Sequence, residues 1–206
     1  METNKTPRAL PCYAVLLIIT LAAGLILGGT YLLTKDAISE REAREAEQTR
    51  SRVLSSATSF ELIEQNKDGS PLNWLYAGKD DEGNTVGYVG LVTVNGYKAK
   101  IEVICGLDVN GKITGISVGG SKFAETVGLG AKAKDADFTD RFTGKSTPIV
   151  IIKTGDAPNE NGVDALTSAT ITSRAVAEAV NRCGEYVSHT YLSTEETSQT
   201  KAGEQQ

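Results

Sequence analysis

A run of hydroxyl side chains near the C-terminal end of the chain could hold a phosphate. Five of the seven residues from Thr167 to Ser173 are Ser or Thr, and an amphipathic segment follows at once. The first free N–H groups of a helix and the positive end of its dipole stabilise an anion without a cationic side chain. Redundant capping of a helix start by Ser and Thr is the alternative interpretation, and the spacing alone leaves both open.

A glycine-containing element lies upstream, with the sequence Glu125-Thr126-Val127-Gly128-Leu129-Gly130. Glycine lets a backbone approach a flat ring closely, and Leu129 and Thr126 could add an apolar contact and a hydroxyl. Residues 128–133 also fit a loose G-x-G-x-x-A dinucleotide pattern, but a polar segment precedes them where that pattern requires a strand. An ordinary surface turn is the remaining alternative.

Composition excludes several other kinds of chemistry. A formal net charge of −5 and the lack of a basic cluster argue against nucleic-acid binding. The three cysteines, Cys12, Cys105 and Cys183, are too scattered for an iron–sulfur cluster or a Cys-x-x-Cys zinc site, so we expect no metal site. His189 is the only histidine, so we expect no Ser-His-Asp or Cys-His hydrolase site. We assign a catalytic role to no residue. A redox centre in this chain would therefore be organic.

An uncharged apolar run occupies residues 14–33 and is predicted to be a transmembrane helix in contact with lipid. It exceeds a signal-peptide core, and no small-residue cleavage site follows it. Gly24, Gly28 and Gly29 could pack on another membrane helix, or could reflect the usual abundance of glycine in such helices. The five cations that follow the run are matched by five carboxylates, so charge alone leaves the orientation open.

The composition and hydrophobic pattern of the remaining chain predict an α+β fold, with an antiparallel sheet and packed helices. Residues 34–72 are predicted to be a helical stalk or first helix, because residues 35–64 are rich in Ala, Glu and Arg and lack Gly and Pro. Residues 73–192 are predicted to form the folded domain. Short β-branched runs, separated by turns at residues 81–84, 95–96 and 110–111, predict an antiparallel meander.

The C-terminal part of that domain is predicted to hold a short helix at residues 138–142, a buried strand at 148–152 and a helix from about 173 to 187. The final helix would bury an apolar stripe, and residues 193–206 are predicted to be a disordered polar tail. The stripe consists of Ala175, Val176, Ala179, Val180, Cys183 and Val187.

Both candidate elements resemble motifs of the FMN-binding domain family. Residues 167–172 match the flavin-attachment pattern Ser/Thr-Gly/Ser-Ala-Thr-x-Thr/Ser, with Ser168 where Gly is usual. Residues 125–130 match Glu-Thr-Pro-Gly-Leu-Gly, with Val127 in the place of Pro. The resemblance implies one FMN per chain, joined covalently through its phosphate to Thr170 by a separate flavin transferase.

The resemblance also implies a set of binding residues. Ser168, Ala169, Thr172 and Ser173 would hold the phosphate with hydroxyl and N–H groups, and Glu125, Thr126, Gly128 and Leu129 would line the ring side. Asp164, Lys153 and Thr154 complete the set of candidate cofactor-binding residues.

The order of membrane span, stalk, sheet and flavin motifs resembles the G-subunit family of the Rnf ion-translocating oxidoreductase complexes, and the related C-subunit family of the sodium-pumping NADH:quinone reductases. It implies a covalent-FMN electron-transfer subunit, without independent activity, in a translocase that couples electron transfer on the ferredoxin/NAD side to ion translocation. Residues 1–13 would be cytoplasmic, and the domain would lie outside the cell (inner) membrane beside other membrane and peripheral subunits.

Two other functions remain open from the sequence. A stand-alone or sensory membrane-anchored flavoprotein would keep the flavin but need no complex. An adhesion or assembly module would use the hydroxyl run only as a helix cap.

Overall fold

The computed structural model describes residues 12–120, 123–153, 156–157 and 159–193. Two compact units are present, Met1–Ala46 and Glu47–Gln206. Residues 1–11 of the predicted cytoplasmic segment lie outside the described residues, and so do residues 194–206 of the predicted tail.

The first helix, α1, runs from Cys12 to Val53. Its stretch Tyr13–Lys35 is long and apolar enough to cross a membrane, with a mean hydropathy of 2.2. Leucine and isoleucine side chains there are exposed in the first unit, as on a helix whose surface would meet lipid rather than protein. The helix fits the predicted single-pass anchor at residues 14–33.

Five strands form one antiparallel sheet in the second unit. They are β1 (Ser59–Gln65), β2 (Trp74–Lys79), β3 (Thr85–Asn95), β4 (Lys100–Asp108) and β5 (Ile113–Gly119). The spatial order β1-β2-β3-β4-β5 follows the chain, which confirms the predicted meander. The turn glycines Gly83 and Gly111 have φ of 85° and 75°, a conformation that residues with a Cβ rarely adopt.

The prediction that residues 34–72 are helical is wrong beyond Val53. Strand β1 occupies residues 59–65 and pairs with β2. The Ala, Glu and Arg composition that favours a helix gives way to Ser55-Ser56 and then to Phe60, Leu62 and Ile63. Residues 59–65 form a strand because they pair with β2, since the tendency to form a strand depends on packing against neighbouring strands.

Helices and a small second sheet complete the fold. After a 3-10 segment at Gly130–Lys134 come α2 (Ala136–Thr139) and a 3-10 turn at Asp140–Phe142, which confirms the predicted short helix. Strands β6 (Val150–Ile152) and β7 (Gly162–Asp164) pair in parallel. Helix α3 spans Thr170–Val187, and a π-helical turn follows at Ser188–Leu192. The predicted strand at 148–152 is shorter than expected and only partly buried, since Val150 is exposed.

The main core lies between α3 and one face of the sheet, which confirms the α+β fold. All six residues of the predicted apolar stripe on α3 are buried. They pack with alternate residues of the sheet, because successive side chains of a strand point to opposite faces. The sheet residues of this core include Val92, Val94, Ile101, Val103, Cys105 and Leu107.

The last turn of α1 packs on the opposite face. Val53 and Leu54 are buried there with Ala57 and Val89. Glycines on four strands make room for this turn, since a Cβ at Gly106 would lie 2.4 Å from the Val53 carbonyl oxygen and one at Gly78 would lie 2.5 Å from Leu54 Cδ2. The Val53 carbonyl accepts a hydrogen bond from the Thr114 hydroxyl.

Candidate functional site

The N-terminal end of α3 is open. Ala169 precedes the helix with φ −136° and ψ 41°, and no described side chain caps it. The first helical bond joins the Ser173 N–H to the Ala169 carbonyl at 3.0 Å. The backbone N–H groups of Thr170, Ile171 and Thr172 therefore precede the hydrogen-bond ladder and are available to an external acceptor. The helix begins three residues before the predicted start, at Thr170 itself.

The hydroxyls around this end fall into two groups. Thr172 and Ser173 are buried, and both hydroxyls bond within the protein. The Thr172 hydroxyl donates to Glu125 Oε2 at 2.9 Å, and the Ser173 hydroxyl accepts the Leu166 N–H at 2.9 Å. Ser168 is exposed and Thr170 is half-buried. The more accessible hydroxyl residues of this run are therefore Thr167, Ser168 and Thr170.

Ser168 adopts a left-handed backbone conformation, with φ of 63°. Glycine adopts this region without steric cost, whereas a Cβ makes it unfavourable. The conformation explains why glycine is usual at this place in the motif that the sequence resembles. Serine keeps the turn here and adds a hydroxyl beside the helix start.

Glu125 is a buried carboxylate that joins two distant segments. It is only 6% exposed, and it accepts the Lys98 N–H at Oε1 (3.1 Å) and the Thr172 hydroxyl at Oε2 (2.9 Å). Two glycines enclose it, because a Cβ at Gly96 would lie 2.5 Å from Oε1 and one at Gly130 would lie 2.6 Å from Oε2. The carboxylate thus ties the β3–β4 turn to the start of α3.

A cavity of about 420 Å³ opens at this place. Ligand pockets usually have volumes of about 300–1,000 Å³, so the cavity has the size of a small-molecule site. Its wall combines the hydroxyl run at the start of α3 with the glycine-containing element at 125–130. The lining residues are Tyr97, Glu125, Thr126, Leu129, Gly130, Ser168, Ala169, Thr170, Ile171 and Thr172.

The structure brings most of the predicted site residues to this cavity. Those that line it are Ser168, Ala169, Thr170, Thr172, Glu125, Thr126 and Leu129. Gly128 shapes the turn between Thr126 and Leu129, with φ of 79°, and Ser173 lies buried behind the helix start.

The other predicted residues lie outside the cavity wall. Asp164 ends β7 with an exposed side chain, and its carbonyl accepts a hydrogen bond from Arg141 Nη1 at 3.1 Å. Lys153 is exposed, and its N–H donates to Asp156 Oδ2 at 2.7 Å. Thr154 lies outside the described residues.

Three residues of the wall were not predicted as site residues. Gly130 belongs to the glycine-containing element, and its backbone approaches Glu125 too closely for a side chain. Ile171 and Tyr97 are exposed at the cavity. The Asn95-Gly96 turn signal correctly places Tyr97 at the tip of a hairpin, but only the tertiary fold shows that this tip reaches α3.

Two of the three cysteines belong to the core, and one of them, Cys183, lies on the predicted apolar stripe of α3. Cys105 and Cys183 are both free and fully buried. The neighbouring Cys183 thiol, and then burial, raise the pKa of Cys105 well above its usual range, so the thiol form is favoured. Among the described residues, no group of His, Cys, Asp and Glu could hold a metal ion.

Comparison with known proteins identifies the family. Residues 96–185 match the FMN-binding domain. The chain is 34% identical over 181 residues to the G subunit of the Na⁺-translocating ferredoxin:NAD⁺ oxidoreductase complex of Acetobacterium woodii, with 81% of this chain and 86% of the relative covered. It is 32% identical over 177 residues to the G subunit of the ion-translocating oxidoreductase complex of Methanosarcina acetivorans, with 84% and 91% covered.

The chain belongs to the G-subunit family of ion-translocating oxidoreductase complexes. This confirms the predicted family, and with it the predicted class of a translocase subunit. The fold is shared with the C subunit of the Na⁺-translocating NADH-quinone reductase from Parabacteroides distasonis. The two sequences are 19% identical and the structures match with a TM-score of 0.54. The match covers 72% of this chain and 94% of the C-subunit chain.

Proposed function

We propose that this member of the G-subunit family is a membrane-anchored electron-transfer subunit that carries one FMN covalently on Thr170. The observation that carries the proposal is the position of Thr170. It is the first residue of α3, half-buried, and lines a cavity whose wall is built from both flavin motifs. When bound, FMN supplies reversible uptake of electrons, while the protein holds and orients it.

The residues present fit a phosphate joined to Thr170. The free N–H groups of Thr170, Ile171 and Thr172 all lie within the first helical turn, where the helix dipole favours negative charge. The Ser168 hydroxyl lines the same cavity and offers a further donor. None of the described lining residues is cationic, so the helix end supplies the favourable electrostatics itself.

The rest of the wall suits a flat, mostly apolar ring. Leu129 and Ile171 are exposed in the free protein and would exclude water from the faces of a bound ring system. Thr126 adds a hydroxyl for orientation. The hydroxyl of Thr172 donates to Glu125 and so holds the helix start, and of the two α3 threonines that line the cavity only Thr170 remains open to modification.

Membrane location and partners follow from α1 and from the family. The apolar stretch Tyr13–Lys35 would anchor the chain in the cell (inner) membrane lipid, with the N-terminus cytoplasmic and the FMN domain on the outer side. The partners would be other membrane and peripheral subunits of an Rnf-type complex, and a flavin transferase for maturation. A covalent bond suits a carrier on the outer side, which a cytoplasmic pool cannot resupply. The complex would couple electron transfer on the ferredoxin/NAD side to ion translocation, with this FMN passing electrons between other redox centres.

The test of the covalent link compares Thr170→Ala with Thr143→Ala in the full chain. Thr143 is exposed and lies outside both flavin motifs and the cavity wall. In-gel flavin fluorescence after denaturation should vanish for Thr170→Ala and persist for Thr143→Ala. Covalent flavin on the Thr170→Ala chain would contradict the proposed attachment site.

The test of the electron-transfer role uses membrane vesicles. The Thr170→Ala complex should assemble through α1, yet ferredoxin-linked NAD reduction and ion uptake should fail together, because a missing carrier interrupts the series of redox centres. Normal turnover in vesicles shown to lack flavin on this chain would reject the role in the complex and favour a stand-alone flavoprotein.

A further inference from the structure

Tyr97 is an exposed aromatic residue at the wall of the cavity. It lies in the turn between β3 and β4, is 63% exposed and lines the same cavity as the start of α3. Among the described lining residues it is the only aromatic one. A flat ring system bound in the cavity would cover its exposed face, and aromatic rings pack favourably on one another.

The turn that carries Tyr97 is held from both sides of that residue. The Gly96 N–H donates to the Ala99 carbonyl at 2.8 Å and closes the turn. The Lys98 N–H donates to Glu125 Oε1 at 3.1 Å, and the Thr172 hydroxyl donates to Glu125 Oε2 at 2.9 Å. One carboxylate therefore sets the position of the Tyr97 turn relative to the helix start.

This connection is closely packed as well as hydrogen-bonded. Only glycine fits at positions 96 and 130, since any Cβ there would lie within 2.6 Å of a Glu125 oxygen. A buried carboxylate with two donors is costly to leave unpaired. The turn and the helix start are thus expected to move as one body, although Glu125 and Thr172 are 47 residues apart in sequence.

We propose that Tyr97 packs against the ring system of the flavin, and that Glu125 is a positioning residue that holds the Tyr97 turn at a fixed distance from Thr170. The inference rests on the proposed function, because it presupposes a flavin on Thr170. It assigns a side chain outside both flavin motifs to the cofactor contact and gives Glu125 a role that acts through the turn.

Fluorescence gives a signature of this contact. A phenol in contact with a flavin transfers an electron to the excited flavin, and the electron returns in the dark, so that emission is quenched without net reaction. A phenyl ring of the same shape is a much poorer donor. A Tyr97→Phe substitution therefore removes quenching while it preserves packing.

The experiment uses the full chain in detergent with flavin attached, and Tyr76→Phe is the matched control. Tyr76 lies on β2, packs against Trp74 and Arg50, and does not line the cavity. Tyr97→Phe should increase the native flavin emission several-fold, whereas Tyr76→Phe should leave it unchanged. Emission of Tyr97→Phe at the level of the unmodified sequence would overturn the proposed contact.

The role of Glu125 is tested by a double-mutant comparison. Glu125→Ala leaves the Lys98 N–H without its acceptor, so native emission should rise in the Tyr97 background but not further in the Tyr97→Phe background. Equal increases in both backgrounds would overturn the positioning role. If Glu125→Ala does not fold, Glu125→Gln replaces it. The amide oxygen can still accept the Lys98 N–H, so quenching should persist, and its loss would likewise contradict the proposal.

Different results would contradict the proposed function and the proposed contact of Tyr97. Absence of covalent flavin from the unmodified chain in a denaturing gel would reject the flavin site itself. Covalent flavin together with emission that does not respond to Tyr97→Phe would reject only the role of Tyr97.

Discussion

The C-terminal end of α1 and the N-terminal end of α3 pack on opposite faces of the same sheet, and they are completed in opposite ways. At the end of α1, the Val53 carbonyl accepts the Thr114 hydroxyl and is enclosed by glycine backbone. At the start of α3, three N–H groups precede the first helical bond and no described side chain caps them. The first end has its carbonyl paired within the protein, and the second leaves its N–H groups without a partner in the helix.

The contrast is not caused by a shortage of capping residues. Ser and Thr are abundant at the start of α3, and a single cap there would stabilise the helix by about 1 kcal/mol. The fold instead turns Thr172 and Ser173 inward to Glu125 and to the Leu166 N–H. These two hydroxyls thus support the wall of the cavity behind the helix start.

The largest expected effect comes from breaking the closed end with Gly106→Ala. The new Cβ would lie 2.4 Å from the Val53 carbonyl oxygen and 2.6 Å from the Thr114 hydroxyl, so the end of α1 must move off the sheet. We expect a loss of about 3 kcal/mol in the free energy of unfolding, at the upper end of overpacking effects. Urea unfolding followed by Trp74 fluorescence measures it.

Gly119→Ala is the control for this substitution. The nearest atom to its Cβ would be the Lys134 Cε at 3.9 Å, an ordinary contact with a flexible side chain. A cost at Gly119 equal to that at Gly106 would show that strand glycines matter for their position in the sheet rather than for the approach of α1.

A smaller effect is expected from Thr172→Val, which removes a hydrogen bond from the cavity wall at the start of α3. Valine keeps the shape of threonine but removes the donor to Glu125, whose buried carboxylate then loses one of its two hydrogen bonds. We expect a loss of about 2 kcal/mol in the free energy of unfolding. Thr143→Val, at an exposed position, should change it by less than about 0.5 kcal/mol. A stable Thr172→Val protein would contradict the structural role given to this hydroxyl.

The smallest effect concerns two tyrosines, one near the C-terminal end of α3 and one in the π-helical turn after it, whose hydroxyls donate to one carboxylate of β1. Glu64 on β1 is buried and accepts hydrogen bonds from Tyr186 (2.8 Å), Tyr191 and Lys67 (2.6 Å). Burial alone would raise its pKa, but the bonds from Lys67 and the two tyrosines together lower it. The same carboxylate and desolvation raise the pKa of Tyr191, with desolvation the larger cause.

The sign of the pH effect follows from the lowered pKa of Glu64. Its contribution to the free energy of unfolding is present above the unfolded pKa of about 4.3 and is lost as the pH falls through the lower folded pKa. Glu64→Gln should therefore cost about 1 kcal/mol at pH 7 and progressively less below about pH 4. Urea unfolding at pH 7 and pH 3 checks this, and a cost that is independent of pH would show that ionisation of Glu64 does not matter.

Sequence reasoning succeeded where local chemistry decides the structure. Gly83 and Gly111 occupy turns that need a positive φ, and the stripe from Ala175 to Val187 has the period of a buried helix, so the meander and α3 were both predictable. Sequence reasoning failed at β1. This segment follows a long helix without an intervening Gly or Pro, and it is a strand only because it pairs with β2. Local pattern carries no information on such a partner.

The candidate site shows the same division. The segments at 125–130 and 167–172 were recognisable by their resemblance to family motifs, and the structure brings both to one cavity. Tyr97 was not predictable, because many hairpin tips carry an aromatic residue and only the tertiary fold selects the tip that meets α3. The inward turn of Thr172 and Ser173 was equally hidden, since a hydroxyl at a helix start can cap the helix, face a ligand or reach a buried acceptor.

The tie between Glu125 and Thr172 also bears on when the site comes into existence. Each strand of the sheet pairs with its neighbour in the chain, so these contacts can form early and locally. The cavity, in contrast, needs the turn at 96–99, the element at 125–130 and a helix that begins only at Thr170. During synthesis, the ribosome completes the whole meander before the last of these parts emerges. Thr170 therefore acquires its surroundings only after the strands of the sheet have been synthesised, and an enzyme that modified it in those surroundings would act on a domain whose sheet can already be in place.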